Sequence, residues 1–225
     1  MDVTDFFENQ PDEAAVAVCA LAGEAQAQTS VILNREHGLS LYADGALLHR
    51  FVCSPCSLGE LCAGWLCTEG YAAQGLEISR DGRAAAVQGC SAAPHAPQKQ
   101  AYSEHASPEE MLALFRQASE KYHRSHGIHA CVLKGTGWTV CRTDIGRHNA
   151  IDKAVGAAIL AGYDLQGATL FTSGRINAQT VEKVARCGVG CLMSKAVITA
   201  EALELARELG IRVLFSVKEA GCCTI

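Results

Sequence analysis

Arg142-Thr-Asp-Ile-Gly-Arg-His-Asn-Ala-Ile-Asp-Lys153, followed by Thr172-Ser-Gly-Arg-Ile-Asn177, decides how this chain is read. Both stretches contain Gly-Arg-x-Asn, once at residues 146–149 and once at 174–177. Each copy follows a β-like run (137–142; 168–172) and precedes an apolar helical run (150–160; 178–185). The glycine permits a sharp turn, the arginine adds charge, and Asn149 and Asn177 are the expected helix N-caps. A loop entering a helix points free N–H groups and the positive end of the helix dipole at one spot. A guanidinium there adds a fork suited to phosphate or carboxylate. Two such loops in succession predict a site for a polyanionic ligand.

The pattern continues outward from these loops. After the second helix come a strand (190–193), a helix (199–209, ended by Gly210) and a strand (211–217). Such alternation predicts right-handed crossovers onto a largely parallel sheet, with ligands at the carboxyl ends of its strands. Those ends deliver Arg147, Arg175, Lys195 and Lys218, four cations on one rim of a chain whose net charge is −5. His129 and His148 occupy the most constrained contexts of the eight histidines. His148 is placed either to donate to a phosphate or carry a proton, or to bond a neighbouring carbonyl. Asp144 and Asp152 are expected to orient Arg147 or His148, or, for Asp152, to complete a capping arrangement.

Upstream, residues 1–12 read as a loose acidic tail, 13–106 as a β-rich region with one helix, and 107–225 as the α/β domain. Asp44-Gly45 marks a hairpin between strands at 39–42 and 46–52. Further β-like runs fall at 14–21, 31–33, 76–79 and 84–88. Ser57-Leu-Gly-Glu60 forms a capping-box pattern for a helix ending at Gly70, with Leu58, Leu61, Cys62, Trp65 and Leu66 on one face. Residues 89–106 form a long loop, expected to be mobile or functional. Ser107-Pro-Glu-Glu110 opens a second helix, expected to reach about His123.

The composition, 49% hydrophobic and 19% charged over 225 residues, is that of a soluble globular protein. Its acidity argues against nucleic-acid binding through a basic surface. No signal-like or membrane-length apolar run appears, so a cytoplasmic location is expected. The twelve cysteines are then unlike a disulfide framework. Most of them, Cys67 and Cys187 included, sit in apolar runs as small hydrophobes. Cys53-x-x-Cys56 lacks the second pair of a zinc ribbon, and no structural metal is expected. Without His-x-Glu and Pro-Cys-x-x-Cys the chain is no zinc deaminase. Without a P-loop or Gly-x-Gly-x-x-Gly, kinase and dinucleotide dehydrogenase readings are disfavoured. Cys56 adjoins the expected cap Ser57, where a helix dipole lowers a thiol's pKa.

Residues 144–153, Thr172-Ser-Gly-Arg175, and Ser194-Lys195 with Thr199 resemble the formate dehydrogenase accessory sulfurtransferase family (FdhD, also called NarQ). Cys53-Ser-Pro55 with Leu58, Leu61, Gly64, Leu66, Glu69 and Gly70 is similar to that family's first-helix motif, and Ser125–Ala130 to its Thr-Gly-Gly-x-His-x-Ala element. The likeness spans roughly residues 31–218. It implies a three-layer α/β/α, cytidine-deaminase-like fold with a mixed, largely parallel sheet and a smaller β-rich N-terminal region. It also implies a sulfurtransferase that takes persulfide sulfur from a cysteine desulfurase. The sulfur goes to the bis(molybdopterin guanine dinucleotide) molybdenum cofactor, destined for a formate dehydrogenase apoprotein. Guanine nucleotide would mimic that ligand, and a homodimer is reasonable. The implied binding residues are His129, Arg147, His148, Asn149, Ser173, Gly174, Arg175, Ser194, Lys195, Ser216 and Lys218, with no nucleic acid and no membrane as partners.

The sequence departs from the family where sulfur is carried. The usual Cys-x-x-Cys loop should fall at 89–106, which holds only Gly89-Cys90. A persulfide carrier needs one reachable thiolate, so Cys90 is the first candidate, with Cys53, Cys56, Cys222 and Cys223 as alternates. Cys222-Cys223 follow Gly221 in what reads as a short flexible tail. The competing expectation is a non-catalytic guanine-nucleotide or molybdenum-cofactor chaperone that has lost the persulfide loop. A thiol-rich metal-binding protein is a third, weaker alternative.

Overall fold

Hydrophobic alternation gives way to helical spacing at Ser57, and the secondary structure follows that change. A computed structural model describes residues 1–22, 25–91, 93–100, 106–118 and 127–224. The first half contains β1 (Asp2–Asp5), β2 (Glu13–Ala22), β3 (Ala25–Asn34), β4 (His37–Ala43), β5 (Ala46–Cys53), α1 (Leu58–Glu69), β6 (Gly75–Ile78) and β7 (Ala84–Gln88). The second contains α2 (Pro108–Ala118), β8 (His129–Gly135), β9 (Trp138–Asp144), α3 (Arg147–Leu160), β10 (Thr169–Thr172), α4 (Ala178–Arg186), β11 (Cys191–Ser194), α5 (Ala200–Glu208), β12 (Arg212–Lys218) and β13 (Gly221–Thr224).

The N-terminal sheet has the order β1-β6-β7-β4-β5. Asp44 and Gly45 both take positive φ, and close the expected hairpin. The presumed loose tail is a strand over 2–5, parallel to β6. It also does the work expected of the Ser57 capping box. Ser57 has φ 53° and no side-chain cap bond. Asp5 Oδ2 accepts instead from Gly59 N, and Asn9 Oδ1 from Ser57 N. Glu60 is drawn away to Arg142, which donates to both of its carboxylate oxygens at 2.6 Å. β2 and β3 pair with each other as a separate two-stranded ribbon.

The second sheet has the order β13-β12-β11-β10-β8-β9. It is mixed, as expected, but less parallel than the alternation suggests. Only β10–β11–β12 run parallel. β8 and β9 are joined through Thr136-Gly137 into a hairpin, and β12 turns back through Glu219-Ala220, so both ends of the sheet are antiparallel. The supposed flexible tail holding Cys222 and Cys223 is β13, an exposed edge strand. Helices cover both faces: α3, α4 and α5 share a core with one face, and α2 places Met111, Leu112 and Phe115 against the other. Ser107 Oγ accepts from Glu110 N, so the second capping signal works as expected. The expected extension of this helix to His123, and His126, lie outside the described residues.

Of the contacts that join the halves, one is made by glycines. A Cβ on Gly64 of α1 would sit 1.7 Å from Asp152 O, and one on Gly156 of α3 would sit 1.9 Å from Glu60 O. The two helices cross backbone against backbone, which only glycine permits. On its other face α1 buries Leu58, Leu61, Cys62, Trp65 and Leu66 in the core of the N-terminal sheet.

Candidate functional site

The strand directions bring the predicted cations to one edge. β10, β11 and β12 run parallel and end in Ser173-Gly-Arg175, Lys195 and Lys218. β8 runs against them and so begins at this edge, where His129 lies opposite Asp144, the last residue of β9. Arg147 and His148 then open α3 at the same place.

The first Gly-Arg-x-Asn loop is anchored from below. The fully buried Lys153 Nζ lies 2.6 Å from the fully buried Asp144 Oδ2. Asp144 also accepts from Ser54 N, Gly146 N and Asn149 Nδ2. Asn149 Nδ2 reaches Val52 O at 2.8 Å as well. Asn149 is therefore not the N-cap of α3; Gly146 holds that position. Nor does Asp144 orient Arg147 or His148, because its oxygens are committed to this network. The other acid, Asp152, faces α4 rather than the rim. It binds Thr68 Oγ1 at 2.6 Å and Lys183 Nζ at 3.0 Å, and Lys183 also contacts Glu69 at 2.8 Å. Burial raises the pKa of Asp152. Burial opposes the charge of Lys183 too, yet Asp152 and Glu69 hold its pKa above the ordinary value.

The second loop matches its sequence pattern. Asn177 caps α4, its Oδ1 accepting from Thr180 N at 3.0 Å and Thr180 Oγ1 at 2.7 Å. Ser173 Oγ accepts from Ala130 N and meets His129 Nδ1 at 3.0 Å. Ser194 Oγ donates to Gly174 O and accepts from Ala196 N. These two hydroxyls stitch neighbouring loops together, with Ile176 and Ile198 bridging in parallel. Ser216, at φ 53°, bonds through its backbone N–H to Ala196 O.

The loops touch each other. A Cβ on Gly174 would lie 2.9 Å from Arg147 Cβ, so the arginine stem occupies the space that glycine leaves. Arg147 Nε is buried and has no hydrogen-bond partner among the described residues. His148 Nε2 approaches Thr180 Oγ1 at 3.5 Å. Burial, then the charges of Arg147 and Lys183, push the His148 pKa down to about 4. Burial and Arg147 lower that of His129 also. Both imidazoles are thus neutral at neutral pH, able to donate one proton or accept one. Arg175 and Lys218 are exposed, while Lys195 is half-buried with its ammonium 5.4 Å from the centre of the Phe115 ring.

Beside the rim lies a cavity of about 370 Å³ lined by His49, Trp65, Glu69, His148, Asn149, Asp152, Gln179 and Lys183. Its His49, Trp65 and Lys183 did not stand out in the sequence. Their signal is long-range, since His49 stacks on Trp65 across two elements at 4.8 Å. A larger hollow of about 620 Å³ is lined by Asp2, Asp5 and Glu60, and that acidity makes it unsuited to an anion.

The candidate sulfur carriers are scattered. Cys90 is half-buried against the N-terminal core, next to Ser91, which bonds to Ala72. Burial and Asp44 raise its thiol pKa. Cys53 is fully buried and pushed up to about 12, mainly by that burial. Cys56 is partly exposed, 3.9 Å from Lys153 Nζ. Cys222 and Cys223 are exposed on β13, which leaves the rim where Gly221 pairs with Lys218. Among the described residues no group of three His, Cys, Asp or Glu is arranged to hold a metal ion. No helix among them is long and apolar enough to cross a membrane.

Comparison with known proteins gives the family and the fold. The model of the FdhD/NarQ family matches residues 80–223. A sulfur carrier protein FdhD of Bacillus subtilis (strain 168) is 36% identical over 119 residues, 51% of this chain and 45% of the relative. The FdhD of Staphylococcus aureus (strain JH9) is 36% identical over 112 residues, 49% of this chain and 42% of the relative. The aligned region thus spans less than half the length of these curated relatives. A crystal structure of a candidate formate dehydrogenase accessory protein from Desulfotalea psychrophila superposes with a TM-score of 0.81, covering 96% of this chain and 97% of that one at 21% identity. The two share a fold.

Proposed function

The chain belongs to the FdhD/NarQ family, and on that footing we propose that it is a sulfurtransferase serving formate dehydrogenase maturation. It takes sulfane sulfur from a cysteine desulfurase as a persulfide and delivers it to a bis(molybdopterin guanine dinucleotide) molybdenum cofactor held at the rim. The observation that carries this proposal is the meeting of Arg147 with Gly174. The guanidinium side chain is seated between two helix entries, and its buried Nε is left to a ligand. A dinucleotide's phosphates supply acceptors in that geometry, and Arg175, Lys195 and Lys218 supply surrounding charge. His129 and His148, both neutral, act as hydrogen-bonding rather than charged partners. Asn149, Ser173, Ser194 and Ser216 position the loops. The order of the second sheet, with an antiparallel hairpin beside three parallel strands, supports the cytidine-deaminase-like α/β/α description. The work is cytoplasmic, without nucleic acid or membrane, and a homodimer would set two rims in one particle.

The carrier thiol is assigned to Cys222 or Cys223. Both are exposed, and their strand departs from the rim beside Lys218, whereas Cys90 is packed against the other half and its thiol is raised. A carrier thiolate would attack the terminal sulfur of the desulfurase persulfide and release the desulfurase cysteine as the leaving thiolate. Mass spectrometry after incubation with a cysteine desulfurase and cysteine should find one extra sulfur atom on the peptide holding Cys222 and Cys223. An adduct on the Cys90 peptide would move the role there. The raised thiol of Cys90 and the burial of Cys53 favour one alternative, a nucleotide- or cofactor-binding chaperone without sulfur transfer. Guanine-nucleotide binding with no sulfur adduct on any peptide would establish that alternative.

A further inference from the structure

Cys67 and Cys187 are 120 residues apart in the chain, yet their sulfurs lie 3.5 Å from each other. Cys67 is on α1, packed against the core of the second sheet, and Cys187 is the C-cap of α4. The pair is separate from the rim, since nine-residue α4 lies between Cys187 and the Asn177 cap, roughly 13 Å along the axis. Cys67 is partly exposed while Cys187 is buried at 6% exposure. Cys67 is therefore the more accessible of the two residues, and Cys187 is sheltered behind it.

We propose that Cys67 and Cys187 form a reversible disulfide site, oxidised by a low-molecular-weight disulfide and joining the N-terminal half to α4. The Cys67 sulfur, as thiolate, attacks one sulfur of the reagent and expels the other half as a thiolate, leaving a mixed disulfide on Cys67. The Cys187 sulfur then attacks the Cys67 sulfur of that mixed disulfide. Its proton passes to solvent, and the second reagent half leaves and takes up a proton. In total two protein thiols lose two electrons, and one reagent disulfide becomes two thiols. The charge distribution suits this order of attack. The hydrogen bond between the two sulfurs holds the Cys67 thiol below its ordinary pKa, and the same bond with burial pushes Cys187 well above. The attacking and resolving roles are thus divided between the exposed and buried partners. The cross-link would tie α1 to the same helix that Thr68 and Glu69 already reach through Lys183.

The test uses the intact, reduced protein, oxidised glutathione at mildly alkaline pH, alkylation of remaining thiols and digestion without reduction. The expected product is the Cys67 peptide linked to the Cys187 peptide, two hydrogens lighter than their sum. Cys187→Ala should stop at a glutathione mixed disulfide on Cys67, while Cys67→Ala should leave Cys187 unmodified. The oxidised wild-type protein should melt several degrees above its reduced form, and neither variant should show that gain. Recovery of both residues as free thiols, while the exposed Cys19, Cys222 and Cys223 carry glutathione in the same sample, would overturn the proposal. Glutathione retained on Cys67 in the wild-type protein, without linkage to Cys187, would overturn it as well.

Discussion

The loops at 146–149 and 174–177 share Gly-Arg-x-Asn and end up built in opposite ways. In the second, Asn177 stands outside its helix and caps it, and Arg175 extends into solvent. In the first, the helix begins three residues earlier relative to the motif. Arg147 and Asn149 therefore lie within the first turn of α3, and Asn149 turns its amide onto the buried Asp144. The cause is Asp144. Its carboxylate accepts the N–H of Gly146 and the amide of Asn149 while paired with Lys153, so the chain bends into the helix early. A local motif specifies the residues available, and a buried charge specifies which of them face inward. The first loop is therefore the rigid side of the rim, and the second, with its arginine in solvent, the adaptable side.

The sharpest way to break that contrast is Asp144→Ala. It strands the fully buried Lys153, and the unfolding free energy measured in urea should fall by about 3–5 kcal/mol. A loss below about 1 kcal/mol would mean that the first loop is not held by this pair. Next in size, Arg147→Ala should weaken guanine-nucleotide binding by roughly ten- to a hundredfold in calorimetry, given the strength of hydrogen bonds to charged groups. Arg175→Ala, at an exposed position, should cost about threefold. Equal losses would erase the distinction between the two arginines.

An intermediate effect is expected from pH. The unfolded chain protonates His148 near 6.5, whereas the folded protein resists until about 4. The folded pKa is depressed, so this contribution to stability is complete above 6.5 and is lost as pH falls through that window. Chemical denaturation at stepped pH should show His148→Gln with a shallower acid limb than wild type. Parallel curves would place the acid sensitivity elsewhere. Asn177→Ala removes one cap and should lower stability by about 1 kcal/mol with nucleotide affinity retained.

Much of the rim was legible because its determinants are local. Strand–helix alternation places Arg175, Lys195 and Lys218 at strand ends without knowledge of any contact. Ser107 and Asn177 are caps whose partners lie three residues away, and both behave as their patterns predict. The misread residues have partners outside their local pattern. Ser57 and Glu60 make a good capping box by spacing, but Asp5 and Arg142 reach in from other strands and replace it. β1 is four mostly polar residues with no period of its own, stabilised by a parallel neighbour 73 residues on. Asn149 resembles a cap until the carboxylate five residues before it takes its amide. Cys67 and Cys187 look like two ordinary buried hydrophobes until the fold sets them side by side.

The crossing at Gly64 and Gly156 has a mechanical consequence. With carbonyls where side chains would otherwise act as cushions, the two helices have no compressible layer between them. The N-terminal sheet is borne on one side of α1, and the first turn of α3 carries Arg147 and His148. A displacement of that sheet would be transmitted to the rim nearly undamped, as along a stiff lever. The placement of the small β-rich half and that of Arg147 and His148 are then set together, through one rigid seam.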